Sequence, residues 1–204
     1  MRVLVACEFS GAVRRAFRAR GHDAWSCDLL PAADGDPHHS QGDVRSRLHD
    51  GWDMMIAHPP CTYLSRAGAR WWKDPERQKL ADEAAEFVFA LRDAPIHYIA
   101  IENPIGQLNS RWRYPDQIIQ PHEFGHPFSK ATCLWLKNLP PLFTTANLSQ
   151  YRPLIRSNVT ARKRAGKEQD GTYSGGLITA KTFEGIAEAM ADQWGAFTSR
   201  RRAA

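Results

Sequence analysis

Short, unbroken apolar runs alternate along this chain with stretches whose apolar residues recur every third or fourth position. Arg2 to Phe9, Ala24 to Leu30, Trp52 to Ala57, His97 to Ile101 and Thr132 to Leu136 are of strand length and mostly apolar. Continuous runs of this kind mark strands covered on both faces. Between them, Val13 to Arg20 sets Val13, Ala16 and Phe17 on one side of a short basic helix, with Gly21 as its stop. Pro75 to Leu91 is the clearest helical stretch: Leu80, Ala84, Phe87, Val88 and Leu91 fall at helical spacing, and Pro95 closes it. Thr182 to Trp194 predicts a last amphipathic helix through Phe183, Ile186, Ala187, Met190 and Trp194. Ala32 to Gly42, rich in Asp, Gly, Pro and His, reads as a loop. Strands alternating with helices predict an α/β, Rossmann-like fold, a mostly parallel sheet with helices on both faces.

A chain of 204 residues with 43% hydrophobic positions suits a single domain, residues 1–204, able to bury its own core. No apolar run approaches the roughly 18 residues of a membrane span, and the first strand begins at once, without a signal peptide. A cytoplasmic protein is expected. Cys7, Cys27, Cys61 and Cys133 lie far apart, which argues against disulfides and zinc and leaves packing thiols or one reactive thiol. The net charge of +5 changes the picture mainly by where it falls. Arg152, Arg156, Arg162, Lys163, Arg164 and Lys167 crowd a glycine-containing loop, 144–174, which fits phosphates or water equally. Arg200, Arg201 and Arg202 read as a frayed tail.

The chemistry collects at strand ends, where open α/β folds hold their ligands. The run Met54-Met55-Ile56-Ala57 closes in His58-Pro59-Pro60-Cys61, a thiol on a loop stiffened by two prolines. Tyr98-Ile99-Ala100-Ile101 ends in Glu102-Asn103-Pro104, a carboxylic acid on another strand end. Phe9, Ser10 and Gly11 follow the first strand, where a helix amino terminus usually meets a nucleotide-like ligand, although further glycines are missing. Asp28 ends the second strand, about 20 residues on, where an acid commonly takes ribose hydroxyls. Asp43, in Gly42-Asp43-Val44, is an acid able to accept from an adenine amino group; singly, each Asp reads equally as a turn or helix cap. Asp34, Asp36, His38 and His39 have no matching ligands elsewhere, so no metal is expected. Trp71-Trp72, beyond Arg66 and Arg70, fits base stacking and core packing alike; Trp112, between Arg111 and Arg113, does so more weakly. Cys7, Cys27 and Cys133 read as buried packing thiols.

Taken together, these motifs resemble the DNA cytosine-5 methyltransferases. His58 to Ser65 is similar to their Pro-Cys loop and Glu102-Asn103-Pro104 to their Glu-Asn-Val element. Phe124 to Thr132 resembles the stretch that follows, where Gln-x-Arg-x-Arg is usual. Ser174-Gly175-Gly176 and the helix holding Ile186-Ala187 resemble the last motif, which folds back onto the cofactor. The resemblance implies S-adenosylmethionine as cofactor and DNA as partner. It implies a Cys61 thiolate that adds to carbon 6 of cytosine and a protonated Glu102 that stabilises N3. Such chemistry asks for a thiol pKa below its ordinary value and a carboxyl pKa above it. Asn103 would brace the catalytic loop, with Lys130 beside the acid. Phe9, Ser10 and Gly11 would line the methionine end, Asp28 the ribose, Asp43 the adenine and Pro60 the floor, with Gly175 and Gly176 closing over them. Arg66, Arg70, Arg152, Arg156, Arg162, Lys163 and Arg164 would meet nucleic acid. Lys130 and Thr132 stand where the family has two arginines, and lysine offers no bidentate fork. No stretch is long enough for the family's separate target-reading domain. Small members of this kind resemble those of bacteriophage, and leave open RNA, a free pyrimidine nucleotide, a modified donor, or a non-catalytic DNA-binding relative.

Overall fold

The structure, a computed structural model, describes residues 1–148, 155–156 and 182–202; Ile155, Arg156 and residues 199–202 are described by their backbone alone. Among the described residues nine strands are placed: β1 Arg2–Ala6, β2 Asp23–Asp28, β3 His39–Gln41, β4 Met54–Ala57, β5 Tyr98–Pro104, β6 Gln117–Ile119, β7 Phe128–Ser129, β8 Thr132–Lys137 and β9 Ile155–Arg156. The α-helices among them are α1 Ala12–Ala19, α2 Pro75–Arg92, the one-turn α3 Leu108–Arg111 and α4 Glu184–Arg202. Seven strands form one sheet in the order β3-β2-β1-β4-β5-β8-β6, while β7 and β9 pair separately. Strands β1 to β5 run parallel; β8 runs antiparallel to both β5 and β6. The fold is α/β and Rossmann-like, and the strand order reverses between β1 and β4, where such sheets open a crevice.

Apolar runs on both faces explain why the middle strands are buried on both sides. Val3 and Val5 of β1, Met54 and Ile56 of β4, and Tyr98 and Ala100 of β5 pack with Val13 and Phe17 of α1 and Ile186, Met190 and Trp194 of α4. The alternate residues Leu4 and Ala6, Met55 and Ala57, and Ile99 and Ile101 pack with Ala85, Val88 and Leu91 of α2 and with Trp135. Period-two alternation thus sends each strand's side chains to two separate cores, with helices on either side. Helix α2 starts cleanly because the Asp74 carboxylate accepts from the backbone N–H of Glu76 and Arg77, with Pro75 in the first turn. No helix among the described residues is long and apolar enough to cross a membrane.

Several sequence expectations need correction. The first strand stops at Ala6, short of Phe9, because Cys7 takes a left-handed φ of 59° that ends the extended backbone. Residues 32–42 contain β3, an edge strand whose polar His39-Ser40-Gln41 carries no apolar signal. Strand β5 continues past Ile101 through Pro104, whose missing N–H is tolerated at a strand terminus. The buried face of α2 is Ala81, Ala85, Val88 and Leu91, while Leu80 is 36% exposed; small alanines, not the larger residue, meet the sheet. Helix α4 runs on to Arg202, so the terminal arginines belong to a helix instead of a frayed tail. Cys7 is only half-buried, unlike Cys27 and Cys133, which are buried as expected.

Candidate active site

The Pro-Pro-Cys loop is fixed from both neighbours. The His58 N–H donates to the Ala6 carbonyl at 2.9 Å, carrying the β1–β4 pairing one step beyond the strand. The buried Asn103 amide donates to the Pro59 carbonyl at 2.9 Å, so β5 holds the loop from the side. Beyond Cys61 the chain is held again. The Gln107 N–H donates to the Leu64 carbonyl at 2.7 Å, its side-chain amide donates to the Tyr63 carbonyl at 3.0 Å, and Arg66 N–H reaches Ile105. A Cβ added at Gly106 would stand 1.9 Å from the Leu64 oxygen, so only glycine admits this approach. Cys61 itself stays exposed on a loop whose backbone has almost no freedom.

The Glu102 carboxylate lies on β5 with its side chain 17% exposed, and His58 Nδ1 sits 2.7 Å from its Oε2. Burial pushes the Glu102 pKa up, but the His58 hydrogen bond and the Lys130 charge outweigh it, leaving the carboxyl below its ordinary value. The Cys61 thiol is pushed above its ordinary value, by desolvation first and the Glu102 charge second, against an opposing pull from Lys130. Both directions reverse the sequence expectation: the resting site favours a thiol and a carboxylate. For Cys61 the cause is desolvation and then the Glu102 charge; for Glu102 it is the His58 hydrogen bond and the Lys130 charge prevailing over burial. Lys130 acts on both groups. A cavity of about 10 Å³, roughly one water's room, lies beside Glu102, Lys130 and Thr132, closed by Thr182 and by Phe183, Ile186 and Met190 at the start of α4.

An adjoining cleft of about 200 Å³ opens at the ends of β1, β2 and β4. Cys7, Glu8, Phe9, Ser10, Asp28, Leu30, His58, Pro60 and Thr182 line it. Of the residues expected at a cofactor, Phe9, Ser10, Asp28 and Pro60 are here. Gly11 and Asp43 are not among its walls. Gly11 caps α1 at φ 71°, crowded by Arg14, Arg15 and Asp34, and Asp43 caps a short turn while pairing with Arg45. Glu8, which is 4% exposed, accepts the backbone N–H of Val13 at 2.7 Å and of Arg14 at 3.2 Å. Its carboxylate therefore occupies the helix amino terminus that a phosphate would otherwise take. Cys7 is pushed up to about 12 by burial, then by Asp28, so it faces the cleft as an inert thiol. Gly175 and Gly176 lie outside the described residues.

The Asp and His residues of the 32–42 loop serve as a clasp. The fully buried Arg14 guanidinium meets Asp34 at 2.5 Å and Asp36 at 3.6 Å and donates to Ser26 at 2.8 Å. Arg15 also reaches Asp34, His38 pairs with Asp36, and His39 bonds Ser26 and the Leu30 carbonyl. The clasp holds Leu30 at the cleft.

Arg66 and Arg70 are exposed on a short turn beyond Cys61, with the Arg70 guanidinium 5.1 Å from the ring of Trp71, itself 47% exposed. Trp112 instead stacks on Trp135 at 5.9 Å, which makes it a packing residue. Arg152, Arg162, Lys163 and Arg164 lie outside the described residues, and the Arg156 side chain is not described. No site role is expected from the sequence for His58, Glu8, Leu30 or Thr182, and Cys7 is expected there only as a packing thiol. Only His58 carried a usable signal, standing three residues before Cys61 on the same strand end.

No family model matches this chain, and no curated protein does. Matches among solved structures number 65 chains. One is described, without its activity established, as a DNA modification methyltransferase encoded within an E. coli prophage. The two share 15% identity with a TM-score of 0.46, over 67% of this chain and 46% of that one. This chain thus spans about half the length of that structure. A likeness of that depth says nothing of activity.

Proposed function

We propose that this chain is an S-adenosylmethionine-dependent methyltransferase acting at carbon 5 of cytosine, with DNA as its substrate. The observation that carries the reading is geometric: the Pro-Pro-Cys loop is tied to the Glu102 strand end by the 2.7 Å contact of His58 with Glu102 and the 2.9 Å bond from Asn103 to Pro59, beside the cleft lined by Phe9, Asp28 and Pro60. Carbon 5 of cytosine is a poor nucleophile until something adds at carbon 6. A sulfur nucleophile and an acid for N3 are the two groups that addition needs.

The cleft fits a cationic, phosphate-free cofactor better than a dinucleotide. Glu8 and Asp28 line it, and the first α1 N–H groups are already taken, Ala12 by the Ser10 hydroxyl and Val13 and Arg14 by Glu8. S-adenosylmethionine would supply an electrophilic methyl group on a sulfonium. Asp28 would hold the ribose, Phe9 and Ser10 the methionine end, and Pro60 the floor next to Cys61. Asp43, Gly11, Gly175 and Gly176 are assigned to the same pocket from the motif resemblance alone. Cys61 must lose a proton and Glu102 must gain one before the ring reacts. Asn103 keeps the loop still meanwhile. Duplex DNA would have to flip its base into the site. Arg66 and Arg70, and the basic run Arg152, Arg156, Arg162, Lys163 and Arg164, would meet its phosphates.

The test is incubation with labelled S-adenosylmethionine and DNA, followed by nucleoside mass spectrometry. Label should appear as 5-methylcytosine and vanish in Cys61→Ser; retained labelling in that variant excludes the mechanism. Parallel arms with RNA and cytidine nucleotides test whether the same chemistry serves a smaller substrate. Calorimetry with S-adenosylmethionine tests the non-catalytic alternative, which predicts DNA binding without cofactor binding.

A further inference from the structure

His58 stands between the two compartments of the site. Its ring lines the cofactor cleft beside Cys7, Glu8 and Asp28, and its Nδ1 touches Glu102 in the other compartment at 2.7 Å. The side chain is only 10% exposed, and its backbone is held through the bonds at Ala6 and Pro59. A carboxylate oxygen can only accept, so Nδ1 carries the hydrogen at rest, a tautomer assigned from this bond. Nε2 is then left buried with a lone pair and no partner among the described residues. A buried ring atom of that kind is a place to put a proton.

We propose that the His58–Glu102 pair, and not Glu102 alone, is the acid of the site, with His58 as the positioning residue that shares its proton. The inference rests on the cytosine carbon-5 reading above. Glu102 is faced by His58 from the β4 loop, by Lys130 from the segment before β8, by the Cys133 thiol on β8, and by Cys61. Phe183, Ile186, Met190 and Thr182 bring no charge from the side of α4. As sulfur bonds carbon 6, the Cys61 S–H breaks and its proton passes to the pair. The ring electron pair moves toward N3, which takes one proton from the Glu102 carboxyl. When sulfur is expelled as a thiolate, the N3 proton returns to the pair and from it to the Cys61 sulfur, while carbon 5, now carrying the methyl, gives up its own proton to water. His58 holds Glu102 in place through both transfers.

The test uses the full chain with S-adenosylmethionine and a duplex carrying 5-fluorocytosine, which stalls after methyl transfer as a covalent adduct. His58→Asn is the informative variant, because its amide NH2 group stands near the place of Nδ1 and can still donate to Glu102 but can neither take up nor release a proton. Adduct formation should slow on the order of 10²-fold, the range of a lost acid–base partner, and its pH profile should change shape. Independently of activity, the infrared band of a protonated Glu102, identified by its loss in Glu102→Gln, should titrate in two coupled steps in the native chain and in one step in His58→Asn. Adduct formation by His58→Asn at the native rate and pH dependence overturns the inference, as does a slowed rate with an unchanged pH profile. No adduct with the native chain overturns the carbon-5 reading and the inference with it.

Discussion

At the scale of single residues, a thiol that keeps its proton and a carboxyl that has lost its own stand in one site. Cys61 should therefore react with iodoacetamide only above the pH at which an ordinary cysteine does. Glu102→Gln removes a nearby negative charge and should lower that threshold; Lys130→Met should raise it. Alkylation rate against pH checks both signs. Glu102 also bears on stability: its carboxyl sits below its ordinary value when folded, so its contribution is complete above the unfolded pKa and lost as pH falls through the folded one. The same sign holds at Asp34, whose carboxyl lies at about 2. Asp34 faces a guanidinium with no access to water. Asp34→Asn should cost about 2–3 kcal/mol in urea unfolding, less than the roughly 3–5 kcal/mol of a wholly buried pair, because Asp36 remains near Arg14. The identities of Cys61 and Glu102 were legible in the sequence because both end apolar runs. Their protonation states were not, since burial and Glu102 set that of Cys61, and His58 and Lys130 that of Glu102, across chain separations that no local pattern reports.

At the scale of elements, the Pro-Pro-Cys loop is held by its neighbours as well as by its own prolines. Gly106→Ala should force Leu64 and Ser65 aside. The expected destabilisation is about 1–3 kcal/mol, seen as a melting shift of about 2–4 °C per kcal/mol, with Cys61-dependent labelling falling further than stability alone explains. Long apolar strands and the amphipathic ends of α1, α2 and α4 could be read directly. Strand β3, and the short β6 and β7, could not, because two or three residues carry no period. Their conformation comes from a partner strand already in place. The inward face of α2 was misjudged for a related reason: Ala81 and Ala85 allow close approach to the sheet, and volume counts there for less than fit.

At the scale of the whole molecule, one sheet separates two cores, and the exposed arginine turn and the Cys61 sulfur belong to the same loop region. If DNA docks there, affinity should fall steeply with salt. Arg66→Ala and Arg70→Ala should each lower the slope of log affinity against log salt by about 1, with little dependence on base sequence. Fluorescence anisotropy over a salt series measures it. The two outermost strands of the sheet, β3 and β6, are each three residues long. A visiting chain seeking to extend the ladder finds only a stub at either margin, so the long inner strands, the most adhesive part of the sequence, offer foreign backbone almost nothing to zip onto. Resistance to self-templated clumping is thus written into the perimeter of the fold.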